Sequence, residues 1–165
     1  VGRLAAVIDL VARLGLAVVL LVSGVLKIAD PGQTYLAVRA YDVLPDALVR
    51  PAATVLPLAE LALGALLLIG LGTRVVAVLS VLLLVVLTAG VAQAWARGLS
   101  IDCGCFGGGG EVAAGQTEYP LEIARDLVFL AMAGWLVARP RSRLSVDGVL
   151  GARAGGEVVR KGADW

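Results

Sequence analysis

Between Val75 and Ala96 the chain runs for 22 residues without a charged side chain. A helix needs about 20 predominantly apolar residues to cross the hydrocarbon core of a bilayer. This segment is long enough to span, and a single-layer soluble bundle would leave much of its apolar surface in water. The composition points the same way. Hydrophobic residues make up 59% of the chain and charged residues 16%, where a soluble domain carries about 25% charged.

Three further segments are less clean. Leu14 to Leu26 is charge-free over 13 residues and is closed by Arg13 and Lys27. Ala52 to Gly72 is apolar except for Glu60, and Leu121 to Ala138 is interrupted by Glu122, Arg125 and Asp126. A run of 10–14 apolar residues alone would fit a buried helix of a soluble protein. With their flanks, however, the segments reach about 20 residues once their charges snorkel or face protein. The expected fold is therefore all-α, an integral membrane four-helix bundle. Its helices fall at about 9–28, 52–72, 75–96 and 120–138, within a transmembrane domain of residues 1–138. Residues 139–165 form an Arg- and Gly-rich tail expected to lack fixed structure. Arg3, Arg13 and the apolar stretch after them also fit the start of a signal peptide. Lys27 stands where a small-residue cleavage site would be, so the segment is read as a retained span.

Lys and Arg placement sets orientation. The tail carries Arg139, Arg141, Arg143, Arg153, Arg160 and Lys161, the turn after the second span has Arg74, and the N-terminus has Arg3. The loop between the third and fourth helices offers only Arg97, beside Asp102, Glu111 and Glu118. Lys27, Arg39 and Arg50 in the first loop weaken this bias without reversing it. Both termini are expected in the cytoplasm (N-in/C-in), with the third loop outside a multi-pass protein of the cell membrane. In the first loop, Asp30-Pro31-Gly32 stops helix one, and Gln33 to Asp46 is read as a short interfacial helix. Tyr35, Tyr41, Trp95 and Tyr119 are read as anchors at the membrane surface, and Gly15, Gly24, Gly64 and Gly90 as points of close helix packing.

The net charge of +1 and the lack of a basic patch argue against nucleic acid. Histidine is absent, which removes the commonest general base and metal ligand. Chemistry then falls to the two cysteines, the carboxylates and lysine. Cys103 and Cys105 flank Gly104 on the outward loop. Residues i and i+2 of extended chain lie about 6–7 Å apart at Cα, the upper edge of disulfide range, so the backbone must pinch. Gly104 permits that pinch. So small a ring restrains the unfolded chain little, so exchange suits it better than stapling. A redox-active pair competes here with soft-metal binding, for which two ligands make a poor site, and with an inert turn. Asp102 disfavours a thiolate on Cys103 and leaves Cys105 the better nucleophile. Gly107 to Gly110 is read as a flexible hinge.

The charges inside the spans form a second group. Glu60 falls near mid-membrane, while Lys27, Arg125 and Asp126 fall toward the same face as the cysteines. Such groups face protein and find partners. Glu60 is expected to pair with Lys27 or Arg125 and hold the helices in register. The alternative is that Lys27 or Arg125 stabilises a thiolate, or that Glu60 handles protons.

Arg13 with Ser23-Gly24-Val25-Leu26-Lys27, Tyr41-Asp42-Val43-Leu44-Pro45, Pro57-Leu58-Ala59-Glu60-Leu61 with Gly64, the Asp102-to-Gly107 loop and Arg125-Asp126 follow one another in an order that resembles the MauE/DoxX group of small four-helix membrane proteins. The likeness runs from Arg13 to Ala138 and is strongest to the redox-associated MauE branch. It implies disulfide chemistry outside the cytoplasmic membrane alongside a thioredoxin-fold partner, with Cys103 and Cys105 as the redox pair and Glu60 and Arg125 as patterned polar positions. The MauE type is associated with maturation of a disulfide-rich methylamine dehydrogenase subunit. Quinone-linked membrane disulfide oxidases generally relay electrons through two cysteine pairs, and this chain has one. The expected function is thus membrane thiol–disulfide exchange with an extracytoplasmic thioredoxin-fold partner, with quinone the one cofactor left open. A non-enzymatic assembly factor and a small transporter or metal handler are the alternatives.

Overall fold

The structure is a computed structural model that describes residues 2–104, 108–113 and 117–139. Cys105 and the Arg-rich tail from Pro140 onward lie outside the described residues. The fold is mostly helical. Helix α1 covers Gly2–Ala29, α2 Pro31–Ala40, α3 Asp46–Ile69, α4 Thr73–Ala96 and α5 Tyr119–Ala138, with strands β1 (Ile101–Asp102) and β2 (Gly110–Glu111) between α4 and α5.

Helix α1 has 28 residues and, at 1.5 Å per residue, a length of about 42 Å. It buries Ala12, Leu16, Ala17 and Leu20 and leaves Val11, Val18, Val22 and Val25 exposed on the other side. This one-sided burial is what a helix facing protein on one flank and lipid on the other requires, because lipid solvates apolar side chains as well as the core does. Asp30-Pro31-Gly32 stops α1 as expected, but it also starts α2. The Asp30 carboxylate accepts the Gln33 N–H at 2.9 Å, and Pro31 occupies a first-turn position where an N–H would have no helical partner. The second helix therefore begins and ends earlier than the expected Gln33–Asp46 segment. It buries Thr34 and Ala37, and the Thr34 hydroxyl donates to the Lys27 carbonyl at 2.9 Å.

Helix α3 starts at Asp46 rather than Ala52 and passes through Pro51 and Pro57 without a break. It ends at Gly70, whose φ of 71° is left-handed and whose N–H donates to the carbonyls of Leu66 and Leu67. Helix α4 follows after a turn at Gly72. By length and composition α1, α3 and α4 can each cross a membrane. Helix α5 is of similar length at 20 residues, but Glu122, Arg125 and Asp126 crowd its first two turns.

One apolar core joins all four long helices: Leu16 and Leu20 of α1, Leu63 and Leu67 of α3, Val76, Ala77 and Leu84 of α4, and Ala133 and Leu136 of α5. Helix α1 packs chiefly on α3 and α4 on α5, with an α1–α5 contact linking the pairs. Glycine sets the closest approach. A Cβ on Gly24 would lie 2.9 Å from the Pro57 carbonyl oxygen, and one on Gly64 would lie 3.1 Å from that of Ala17. These two positions let the α1 and α3 backbones meet, as expected of small residues in membrane helices. Gly15 instead faces the flexible end of Met132, and Gly90 receives the Tyr41 ring. Near the other end of α1, the Trp135 indole N–H of α5 donates to Asp9 at 2.6 Å.

Candidate functional site

The segment after α4 folds back as a short ribbon. Strands β1 and β2 pair antiparallel, with Ile101 opposite Glu111 and Asp102 opposite Gly110. The Val112 N–H donates to the Ser100 carbonyl at 2.8 Å. The Asp102 carboxylate accepts the Gly109 N–H at 3.2 Å, and the Gln33 side-chain amide of α2 donates to the Gly109 carbonyl. Gly104 has φ +67°, and a Cβ there would lie 3.1 Å from the Ala37 side chain and 3.3 Å from the Gly108 carbonyl. A Cβ on Gly109 would fall 2.8 Å from the Gly104 Cα. Glycine at these positions is therefore a steric requirement of a tight fold-back against α2. Gly108 to Gly110, expected as a hinge, is held in defined positive-φ conformations.

Aromatic hydroxyls tie the ribbon to the helices. Tyr119, at the start of α5, donates to the Leu99 carbonyl at 2.7 Å and accepts the Ile101 N–H at 3.3 Å. Its ring stacks on Trp95. The Tyr41 hydroxyl donates to the Cys103 carbonyl at 3.1 Å. Tyr119 is buried and Tyr41 half-buried, and both, expected as membrane-surface anchors, fix the backbone that carries Cys103. Val91, Ala94, Ile101, Cys103 and Tyr119 form a second apolar core beneath the ribbon.

Cys103 is itself buried, and α5 supplies its polar surroundings. The Glu122 carboxylate accepts hydrogen bonds from the Cys103 thiol and from its backbone N–H. The Arg125 guanidinium approaches the Cys103 sulfur at 3.5 Å and lies 3.7 Å from the Asp126 carboxylate. Asp126 accepts from the Thr88 hydroxyl of α4 at 3.3 Å. An acceptor for a thiol proton and a cation for a thiolate thus flank the same sulfur. The sequence offered Arg125 and Asp126 as candidates but marked Glu122 only as an interruption of an apolar run. The available signal was spacing: Glu122 and Arg125, three apart on a helix, share a face. Asp102, Cys103 and Glu122 also bring ligand atoms within 4.8 Å of one another. Thiolate sulfur and carboxylate oxygen are both ligands of Zn²⁺, so this trio is where a cation would be held.

Lys27 and Glu60 form a separate cluster. The Lys27 ammonium donates to the two Glu60 oxygens at 2.7 and 2.9 Å and to the Ser23 hydroxyl at 2.6 Å. Ser23 in turn donates to Glu60 at 3.2 Å. Lys27 is 8% exposed and Glu60 1%. Of the two partners expected for Glu60, Lys27 takes the place, and Arg125 turns to Cys103 and Asp126. The Lys27 side chain also shares the wall of an apolar cavity with Cys103.

These features define a small multi-pass membrane protein that presents a cysteine at the end of its helices, between a carboxylate and a guanidinium. The chain belongs to the family of the methylamine utilisation protein MauE, whose family model matches residues 5–139. No curated protein and no solved structure matches it.

Proposed function

We propose that this protein is a membrane accessory factor that carries out thiol–disulfide exchange through Cys103 and Cys105, serving maturation of the methylamine-utilisation machinery that its family name denotes. In this reading α1, α3, α4 and α5 all cross the cell membrane as a four-helix transmembrane domain over residues 1–138. Both termini and the tail of residues 139–165 face the cytoplasm, and the cysteine loop faces outward, where a disulfide persists. The partner is an extracytoplasmic thioredoxin-fold protein.

The observation that carries the proposal is the seating of Cys103 between Glu122 and Arg125. Glu122 accepts the thiol proton, and Arg125 stabilises the thiolate that remains. The thiolate attacks one sulfur of the partner's disulfide, forms a mixed disulfide and releases the partner's other cysteine as thiolate. Cys105 then attacks the mixed bond, leaving a Cys103–Cys105 disulfide and a reduced partner. The same steps in reverse oxidise a partner dithiol and reduce the pair. In the thiolate role Cys103 replaces Cys105, because the adjacent Asp102 accepts the Gly109 N–H while Arg125 reaches the sulfur.

Cys103→Ser and Cys105→Ser, expressed singly with the thioredoxin-fold partner, test this directly. One of the two should accumulate a mixed disulfide on non-reducing gels, and the double variant should lose function. Full function in the double variant would end the proposal. A metal-handling alternative has its own support in the Asp102–Cys103–Glu122 trio. Equilibrium dialysis with Zn²⁺ separates the two, since only metal handling requires tight binding that Glu122→Gln abolishes.

A further inference from the structure

The cavity beside Cys103 is a feature that exchange with a protein partner leaves unused. It lies between Ala52 and Leu56 of α3 and Val86 and Leu87 of α4, with Ala37 and Val38 of α2 on a third side and Val43 and Leu44 at its rim. Cys103 and Gly104 form its ribbon wall. Its volume is about 200 Å³, below the roughly 300–1,000 Å³ that encloses a drug-sized ligand, so it suits one ring and not an entire long-chain molecule. The walls are almost wholly apolar. At its edge Val86 is 68% exposed and Val43 54%, and Val86 lies on α4, the most hydropathic of the candidate spans. Such an edge is continuous with the acyl chains of a bilayer. A ligand that enters there comes from the lipid, leaves its tail in it, and places its ring against a thiol.

Resting on the exchange function proposed above, we infer that this cavity binds the ring of a lipid-soluble quinone, which reoxidises the cysteine pair after the pair has oxidised its partner. The Cys103 and Cys105 thiols give up two electrons and two protons, and their sulfurs join as a disulfide. The quinone takes both electrons and both protons and leaves as quinol. One cysteine pair then suffices, because the acceptor sits against Cys103 and no second pair is needed to relay electrons to it.

Full-length protein in detergent micelles, with ubiquinone-1 as probe, tests the inference. Ala52→Phe fills the cavity from the α3 wall and leaves in place Glu122 and Arg125, which are not among its lining residues, and Leu56→Trp repeats the test if the first variant does not fold. Wild type should bind ubiquinone-1 saturably, and the pre-reduced protein should form one quinol for every two thiols lost. Either variant should weaken binding at least about tenfold and suppress quinol formation, while exchange with glutathione disulfide continues at the wild-type rate. Absence of ubiquinone-1 binding in wild type, or equal binding and quinol formation in the filled variants, overturns the inference and identifies the cavity as an acyl-chain crevice. Wild-type binding that the variants abolish, without glutathione exchange, instead refutes the exchange function and its redox step and leaves a quinone-binding site.

Discussion

The protein places two clusters of charge among its helices, and they differ in what is left to react. Around Glu60 every strong group is answered within the cluster: three donor bonds from Lys27 and one from Ser23 close on buried acceptors. Around Cys103 the charges of Glu122 and Arg125 converge on a sulfur, a group that changes protonation and bonding without unfolding anything. A closed ion pair gives register between α1 and α3. A carboxylate and a guanidinium on either side of a thiol give reactivity. Perturbing the first should therefore change stability with little effect on thiol reactivity, and perturbing the second should do the reverse.

The largest effect is expected at Lys27→Met, which leaves the Glu60 carboxylate buried and uncompensated, at a cost of about 3–5 kcal/mol. Thermal unfolding in detergent measures it, and adding Glu60→Met should restore most of the loss. If that double variant stays as unstable as the single one, the pair does more than balance charge. Next comes Gly64→Val, which forces side-chain atoms toward the Ala17 carbonyl and Leu21 and should cost about 1–3 kcal/mol while alkylation of the thiols stays at its wild-type rate. In the reactive cluster, Arg125→Met should slow iodoacetamide alkylation of Cys103 at neutral pH about three- to tenfold, measured in the Cys105→Ser background. Unfolding temperature should fall less than in Lys27→Met, because Asp126 keeps the Thr88 hydroxyl as a donor and its contact with Arg125 is longer, at 3.7 Å. Equal alkylation rates with and without Arg125 would remove the contrast between the clusters. The smallest effect belongs to Tyr41→Phe, which deletes the hydrogen bond to the Cys103 carbonyl. A half-buried hydroxyl is worth about 0.5 kcal/mol, visible as faster amide exchange in the ribbon and not as global unfolding.

The long helices and the isolated charges within them were legible because an apolar run and its interruptions are properties of local sequence. Which charge meets which was not. Glu60 had two cations available in the sequence, and the choice of Lys27 depends on the α1–α3 approach through Gly24 and Gly64, a tertiary fact. Glu122 was passed over for a related reason: in the sequence it breaks an apolar segment, and only the ribbon folding back over the start of α5 puts a thiol beside it. Strands of two residues are too short for alternation to reveal them. Tyr119 resembles a membrane-surface aromatic by position, yet its hydroxyl is used up on Leu99 and Ile101. Cooperation between segments distant in the chain is what the sequence alone withheld.

The glycine contact between α1 and α3 also has a mechanical meaning. Backbones that meet at Gly24 and Gly64, with Leu61 and Leu21 packed against the glycines, leave little room for sliding, so α1 and α3 form a single stiff plank. The α3–α4 side, where the cavity lies, has fewer contacts and is the compliant seam. An opening that admits a bulky molecule is expected there, with the plank as one jaw and α4 with α5 as the other.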